Sequence, residues 1–239
     1  MAARPYRDAV IATAGLVSLW ELSEEEGSAG DQKDSNVGSY NGSPSRAQAS
    51  ILPNGEGRCV RFTPTTQFVG IADAPNLDVG DAFTLEAWIK PNTVNANRGI
   101  ISKGNKGYYL RVNATGKLEL LKSQTSVIVA ATEALAAGTA YHVVATKTGA
   151  TVKLYVNGAD KTGAVTNAAV EDNANSLNIG GDTGFATERF DGWVQFAAVY
   201  NAALSAGIVA SHKGAAEQAV TASAGAPLPL SQRTRVVFQ

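Results

Sequence analysis

Asp81-Ala-Phe-Thr-Leu-Glu-Ala-Trp-Ile-Lys-Pro91 (DAFTLEAWIKP) is the stretch that decides the fold. Phe83, Leu85, Ala87 and Ile89 fall on one face, and Thr84, Glu86, Trp88 and Lys90 on the other. Alternation with period two marks a β-strand with one side in a core. A Gly80-Asp81 turn opens it and Pro91, which has no N–H to donate, closes it. The second face carries a tryptophan and a carboxylate, so it is amphipathic rather than simply solvated.

Further strands extend in both directions. Tyr141 to Thr146 and Thr151 to Val156 read as a hairpin, and Asn157-Gly158 turns the chain again through residues that tolerate positive φ. Tyr108–Val112 pairs with Lys117–Lys122 across Asn113 to Gly116. Gly99–Ser102, Ser126–Ala130, Ser176–Gly180 and Phe190–Tyr200 add strands. Upstream, Arg58–Thr63 and Gln67–Ala72 read as a hairpin. Leu16–Leu22 reads as a strand covered on both sides, because neither of its faces is fully polar. Tyr6 to Ala14 is expected as a short helix or turn. A second helix follows Leu204, with Ser205 as N-cap and Gly214 as its stop. Glu24 to Ser50 lacks apolar periodicity and reads as a long surface loop, a feature that usually means function, mobility or both. Roughly a dozen strands with short connections predict an all-β, antiparallel sandwich with helix only at its ends.

The 239 residues suit one β-domain. The expected division is an arm over 1–15, the sandwich over 16–216 and an extended tail over 217–239. A net charge of -1 without charge blocks argues against nucleic acid or anionic lipid as partner. Cys59 is the only cysteine, which excludes an internal disulfide and a multi-cysteine zinc site. It reads as a small apolar strand residue. MAARPYRDAVIATAGLVSLW is interrupted by Asp8, Thr13, Gly15 and Ser18 and is read as mature protein rather than a signal peptide. No run approaches the ~20 apolar residues that cross a bilayer.

The order of FTLEAWIKP, YHVVATKTGATVKLYVNG, LNIGG and FDGWVQFAAVYNAALS resembles the concanavalin A-like jelly-roll superfamily, in its laminin-G-like branch. The opening YRDAVIATAGLVSLWEL is similar to the start of such domains in tailed-phage structural proteins. The resemblance implies a non-enzymatic virion protein (a capsid decoration, fibre or tail component) made in the host cytoplasm. Its implied partners are other virion proteins, further copies of itself and a host-surface glycan. A soluble carbohydrate-binding module is the alternative, and a glycoside hydrolase a weaker one. The chain departs from the family at Gln195 and Phe196, where members often carry Asp-Glu, and at Tyr141-His142, where many have Trp-His.

A glycosidase needs two carboxyl groups flanking the scissile bond. No Glu-x-Asp-x-x-Glu strand is present, and Glu86 stands alone between Thr84 and Trp88. No catalytic residue is therefore expected. A sugar platform needs aromatics with fixed polar groups, for which Glu86, Trp88, Tyr108, Tyr155 and Trp193 are the candidates. His142 is expected to pack beside Tyr141, and His212 to be exposed near a helix end. No cofactor is expected except calcium, which the resemblance suggests, with hard oxygen ligands from the turn residues Asp73, Asp78, Asp172 and Asp182. In the tail, Pro227, Leu228, Pro229, Leu230, Val236, Val237 and Phe238 are expected to dock on a neighbouring protein by strand addition or wrapping.

Overall fold

A computed structural model describes residues 3–122, 126–182 and 187–220, and the tail residues 227–238 lie outside them. The chain runs α1 (Pro5–Ala12), β1 (Leu16–Trp20), β2 (Gly38–Asn41), β3 (Ser45–Ala49), β4 (Arg58–Phe62), β5 (Phe68–Ile71), β6 (Ala82–Pro91), β7 (Arg98–Ser102) and β8 (Tyr108–Val112). It continues through β9 (Lys117–Lys122), β10 (Ser126–Ala134), β11 (Tyr141–Thr148), β12 (Thr151–Val156), β13 (Ala159–Asp160), β14 (Thr162–Val165), β15 (Leu177–Ile179), β16 (Gly192–Tyr200) and α2 (Ala206–Ala215).

Among the described residues the strands form two antiparallel sheets. The first runs β13-β12-β11-β6-β16-β4-β3, with β1 also on β16; the second runs β14-β10-β9-β8-β7-β15-β5-β2. The opening stretch is therefore a central strand: β6 lies between β11 and β16. Its Phe83, Leu85, Ala87 and Ile89 enter the core between the sheets, meeting Ile100, Leu110, Leu120 and Ile179 from the second sheet. Burying a side chain the size of Phe, Leu or Ile contributes about 1.5–3 kcal/mol.

Part of the other face of the first sheet is also covered. Tyr6 and Val10 of α1 and Val209 of α2 pack with Trp88, Val144, Phe196 and Tyr200 into a second apolar cluster. Glu56 fixes the start of α1, its carboxylate accepting from the backbone N–H of Tyr6 (2.9 Å) and Arg7 (3.0 Å). A carboxylate at that end satisfies orphan donors and complements the helix dipole. Asn157 and Gly158 adopt φ of 51° and 80°, as the two-residue turn requires.

Three expectations change. Glu24 to Ser50 contains β2 and β3, which pair with β5 and β4 at the ends of the two sheets. Edge strands bury little, so their sequences, GSYN and SRAQA, show no apolar alternation. The segments read as one hairpin, β4 and β5, lie in opposite sheets. Val60 and Phe62 meet Val69 and Ile71 across the core instead of along a ladder. Gly214 does not stop α2, which runs to Ala215 with Ala216 as C-cap, while Ser205 does act as N-cap.

Candidate functional site

Glu86 is the most heavily bonded side chain under the helices. It is fully buried on β6. Its Oε1 accepts from the Tyr6 hydroxyl (2.8 Å) and His142 Nε2 (2.7 Å), and its Oε2 from the Tyr200 hydroxyl (2.9 Å). His212 Nδ1 lies 3.0 Å from both oxygens. Four elements thus converge on one carboxylate: α1, β11, β16 and α2. Burial alone would raise the Glu86 carboxyl, but the His212 charge and the two histidine hydrogen bonds outweigh it, holding the group well below the usual carboxylate range. Burial and the Glu86 charge push the Tyr6 and Tyr200 hydroxyls up. An ionised carboxylate only accepts, so both rings present N–H to it. Among the described residues His142 Nδ1 is buried without a partner, which favours the tautomer with hydrogen on Nε2.

From His212 the chain of bonds continues outward: Nε2 lies 2.8 Å from Thr13 Oγ1, in a groove between α1 and α2. Hydroxyl, imidazole and carboxylate stand in the order of a nucleophile relay. The Thr13 hydroxyl, however, donates to the Ala9 carbonyl at 2.9 Å, the usual back-bond of a threonine one turn on. The arrangement bolts α1 to α2.

This placement corrects several expectations. Glu86, Trp88, Tyr108 and Tyr155 are buried and offer no accessible platform to a sugar. Tyr108 points between the sheets, donating to the Leu77 carbonyl at 3.1 Å. Trp88 and Tyr155 are covered in the helix-side cluster. His212 is buried rather than exposed. Trp193 alone of the five reaches the surface, half-buried on β16 between the Arg61 guanidinium (5.1 Å) and the Lys90 ammonium (5.2 Å).

Asp73 and Asp78 do come together, but around an internal cation. Lys103 is buried, and its Nζ lies 2.6 Å from Asp73 Oδ1 and 3.4 Å from Asp78 Oδ1. The carbonyls of Asn173 (2.9 Å) and Asn175 (2.7 Å) complete the cradle. This oxygen set would suit calcium in kind, yet an ammonium fills it, so these two aspartates do not fit the ion while Lys103 is in place. Asp172 is engaged by the Gly80 N–H at 3.2 Å, and Asp182 bonds the Ser102 hydroxyl. Among the described residues no group of three or more His, Cys, Asp or Glu side chains is arranged to hold a metal.

Two features escaped the sequence reading. On the outer face of the second sheet, Arg111 bridges Glu119 (2.9 Å) and Glu188 (3.2 Å), and Tyr109 donates to Glu188 at 2.5 Å. Arg111 and Glu119 stand on adjacent strands across a turn, which was a readable signal; Glu188 arrives from a distant loop, which was not. The second is an open polar cleft of about 440 Å³ within the segment read as a functional loop, lined by Gly27, Ser28, Tyr40, Ser43 and Arg46. Arg46 lies over the Tyr40 ring at 4.9 Å, and the Tyr40 hydroxyl donates to Glu24 at 2.8 Å.

Residues 63–210 match the family model described as the concanavalin A-like lectin/glucanases superfamily. Among solved structures, Trypanosoma rangeli sialidase in complex with sialic acid aligns over 85% of this chain at 17% identity and a TM-score of 0.63, and the chain spans 33% of that protein. Domain 4 of a GH43 extracellular arabinanase from Geobacillus stearothermophilus, in complex with arabinotriose, aligns over 83% of this chain and 98% of its own at 16% identity and a TM-score of 0.61. The binding domain of Paraclostridial Mosquitocidal Protein 1 aligns over 83% of this chain and 52% of its own at 13% identity and a TM-score of 0.63. At these identities the likeness is one of fold. No curated protein matches the sequence.

Proposed function

Because the chain belongs to the concanavalin A-like lectin/glucanase superfamily, we propose that it is a non-enzymatic binding domain for carbohydrate, displayed by a structural protein of a tailed-phage particle. The observation that carries the non-enzymatic part is the fate of the buried glutamates on or beside the sheets. Glu86 is bonded to two tyrosines and two histidines, Glu119 and Glu188 to Arg111, and Glu21 to Arg4 and Arg7. Glycoside hydrolysis needs one carboxyl that carries a proton and one that is free to attack or to activate water. The arabinotriose-bound domain and the binding domain of the mosquitocidal protein support a binding role on this fold.

A glycan array with the full chain, run with and without calcium, tests the binding reading, and absence of any glycan signal would overturn it. Release of reducing sugar from β-glucans by purified protein would overturn the non-enzymatic part. The place on a virion is supported by the N-terminal motif Tyr6 to Leu22. Mass spectrometry of purified particles tests it, and absence from them would favour a soluble carbohydrate-binding module. Tail docking is tested by deleting Val220 to Gln239: unchanged incorporation into particles would remove the tail from the account.

A further inference from the structure

Ser45, Arg61, Trp193 and Lys90 form one row across β3, β4, β16 and β6, each opposite the next in register. Residues on one rung share a face of the sheet. Their sequence neighbours Val60, Phe62, Val194 and Ile89 point into the core, so the row faces outward. It begins two residues beyond Trp88, where the helical cover ends: Trp88 is buried, whereas Lys90 and Trp193 are half-buried. Arg61 and Lys90 approach the indole from the strands on either side of it. Among the described residues neither cation is ion-paired. Asp191, close by in sequence, is buried and engaged by Asn92 (3.1 Å) and Thr93 (3.0 Å).

Resting on the carbohydrate-binding reading above, we infer that this row is the glycan contact and that it selects an acidic saccharide, one bearing carboxylate or sulfate groups. The two cations, one on each flank of Trp193, meet anionic groups of the saccharide. The indole between them contacts its apolar C–H surface. Charge complementarity decides the class, because a neutral sugar leaves both cations uncompensated while an acidic one pairs with them. Nucleic acid is the less suited polyanion. The row holds only two cations, and the chain's net charge is -1, whereas duplex or single-strand binding draws on a wider basic track.

The test is titration of the full chain with heparin and alginate oligosaccharides (sulfate and carboxylate), neutral arabino- and cello-oligosaccharides, and a single-stranded DNA of matched length. Acidic saccharides are expected to bind, weakening as salt rises because exposed ion contacts are screened. Arg61→Gln with Lys90→Gln should weaken them at least tenfold, about 1.4 kcal/mol. Trp193→Ala should weaken sulfated and carboxylated ligands alike. Arg61→Lys, which keeps the charge, should retain most of the binding, and unchanged circular dichroism of each variant excludes misfolding. Tyr40→Ala, in the separate cleft, should change nothing. Neutral binding that survives the double variant would overturn the acidic class and leave the carbohydrate reading standing. Acidic binding lost in Tyr40→Ala but not in the row variants would overturn the location. DNA binding as strong as that of the acidic saccharides would overturn the class of partner, and no saccharide binding at all would overturn both readings.

Discussion

Replacing Glu86 with Gln tests the centre of the helix-covered face. The carboxylate receives two hydroxyl and two imidazole donors inside a cluster closed to water. Hydrogen bonds to a charged group contribute about 1.5–3 kcal/mol each, against about 0.5–1.5 for neutral ones. Glutamine keeps one acceptor and turns the other into a donor facing Tyr200 and His212. Tyr200 can rotate its hydroxyl to accept, and His212 can give up its Nδ1 hydrogen while keeping the one on Nε2 that meets Thr13, so part of the network survives. A net loss of about 3 kcal/mol is expected, or roughly 6–12 °C in Tm for a chain of this size. The pH dependence provides a second readout. Glu86 is lower in the folded state than in the unfolded one. Its contribution is therefore fully present above the unfolded value of about 4.3 and is lost as pH falls toward the folded one. The variant should lack that acid limb. Calorimetry from pH 3 to 7 gives both measures, and hydrogen exchange should show α1 and α2 losing protection before β6. A Tm within ~2 °C of the parent, where a shift three or more times larger is expected, together with an unchanged acid limb, would refute the assignment of Glu86 as the group that ties the helices to the sheet.

Arg111→Met leaves Glu119 and Glu188 without their buried cation and should cost about 3 kcal/mol by urea unfolding; a loss below ~1 kcal/mol, typical of exposed pairs, would mean that solvent already screens the triad. Lys103→Met should cost about 2 kcal/mol, less than a fully buried pair because Asp73 and Asp78 are partly exposed. Calcium is expected to leave the parent's Tm unchanged, and a rise on adding it would show an ion bound. Thr13→Val should lower Tm by a few degrees, consistent with a lost bond of about 1 kcal/mol, and ester hydrolysis by the parent that disappears in the variant would make Thr13 a nucleophile instead. The Cys59 thiol is pushed up to about 12, chiefly by burial, so it should resist thiol reagents at pH 8 until urea is added. Rapid labelling of the folded protein would show that β4 opens.

Local pattern carried the sandwich. Period two in Phe83 to Ile89, the Asn157-Gly158 turn and the Tyr108–Lys122 hairpin are each set by neighbours in the chain, and each is found as read. The edge strands β2 and β3 were not legible, because an element that buries almost nothing carries no apolar period.

The site was decided elsewhere. Glu86 and Trp88 read as candidate sugar contacts on an amphipathic face, and their sequence is equally compatible with a face roofed by helices. Only the return of α1 and α2 onto β6, from opposite ends of the described chain, settles the matter. The same holds for Lys103 between Asp73 and Asp78, and for Trp193 between Arg61 and Lys90. Their spacings of 25 to 132 residues carry no period to read. The alternation of side chains along a strand is a property of the chain, whereas what lies against each face depends on which distant segments come to rest there.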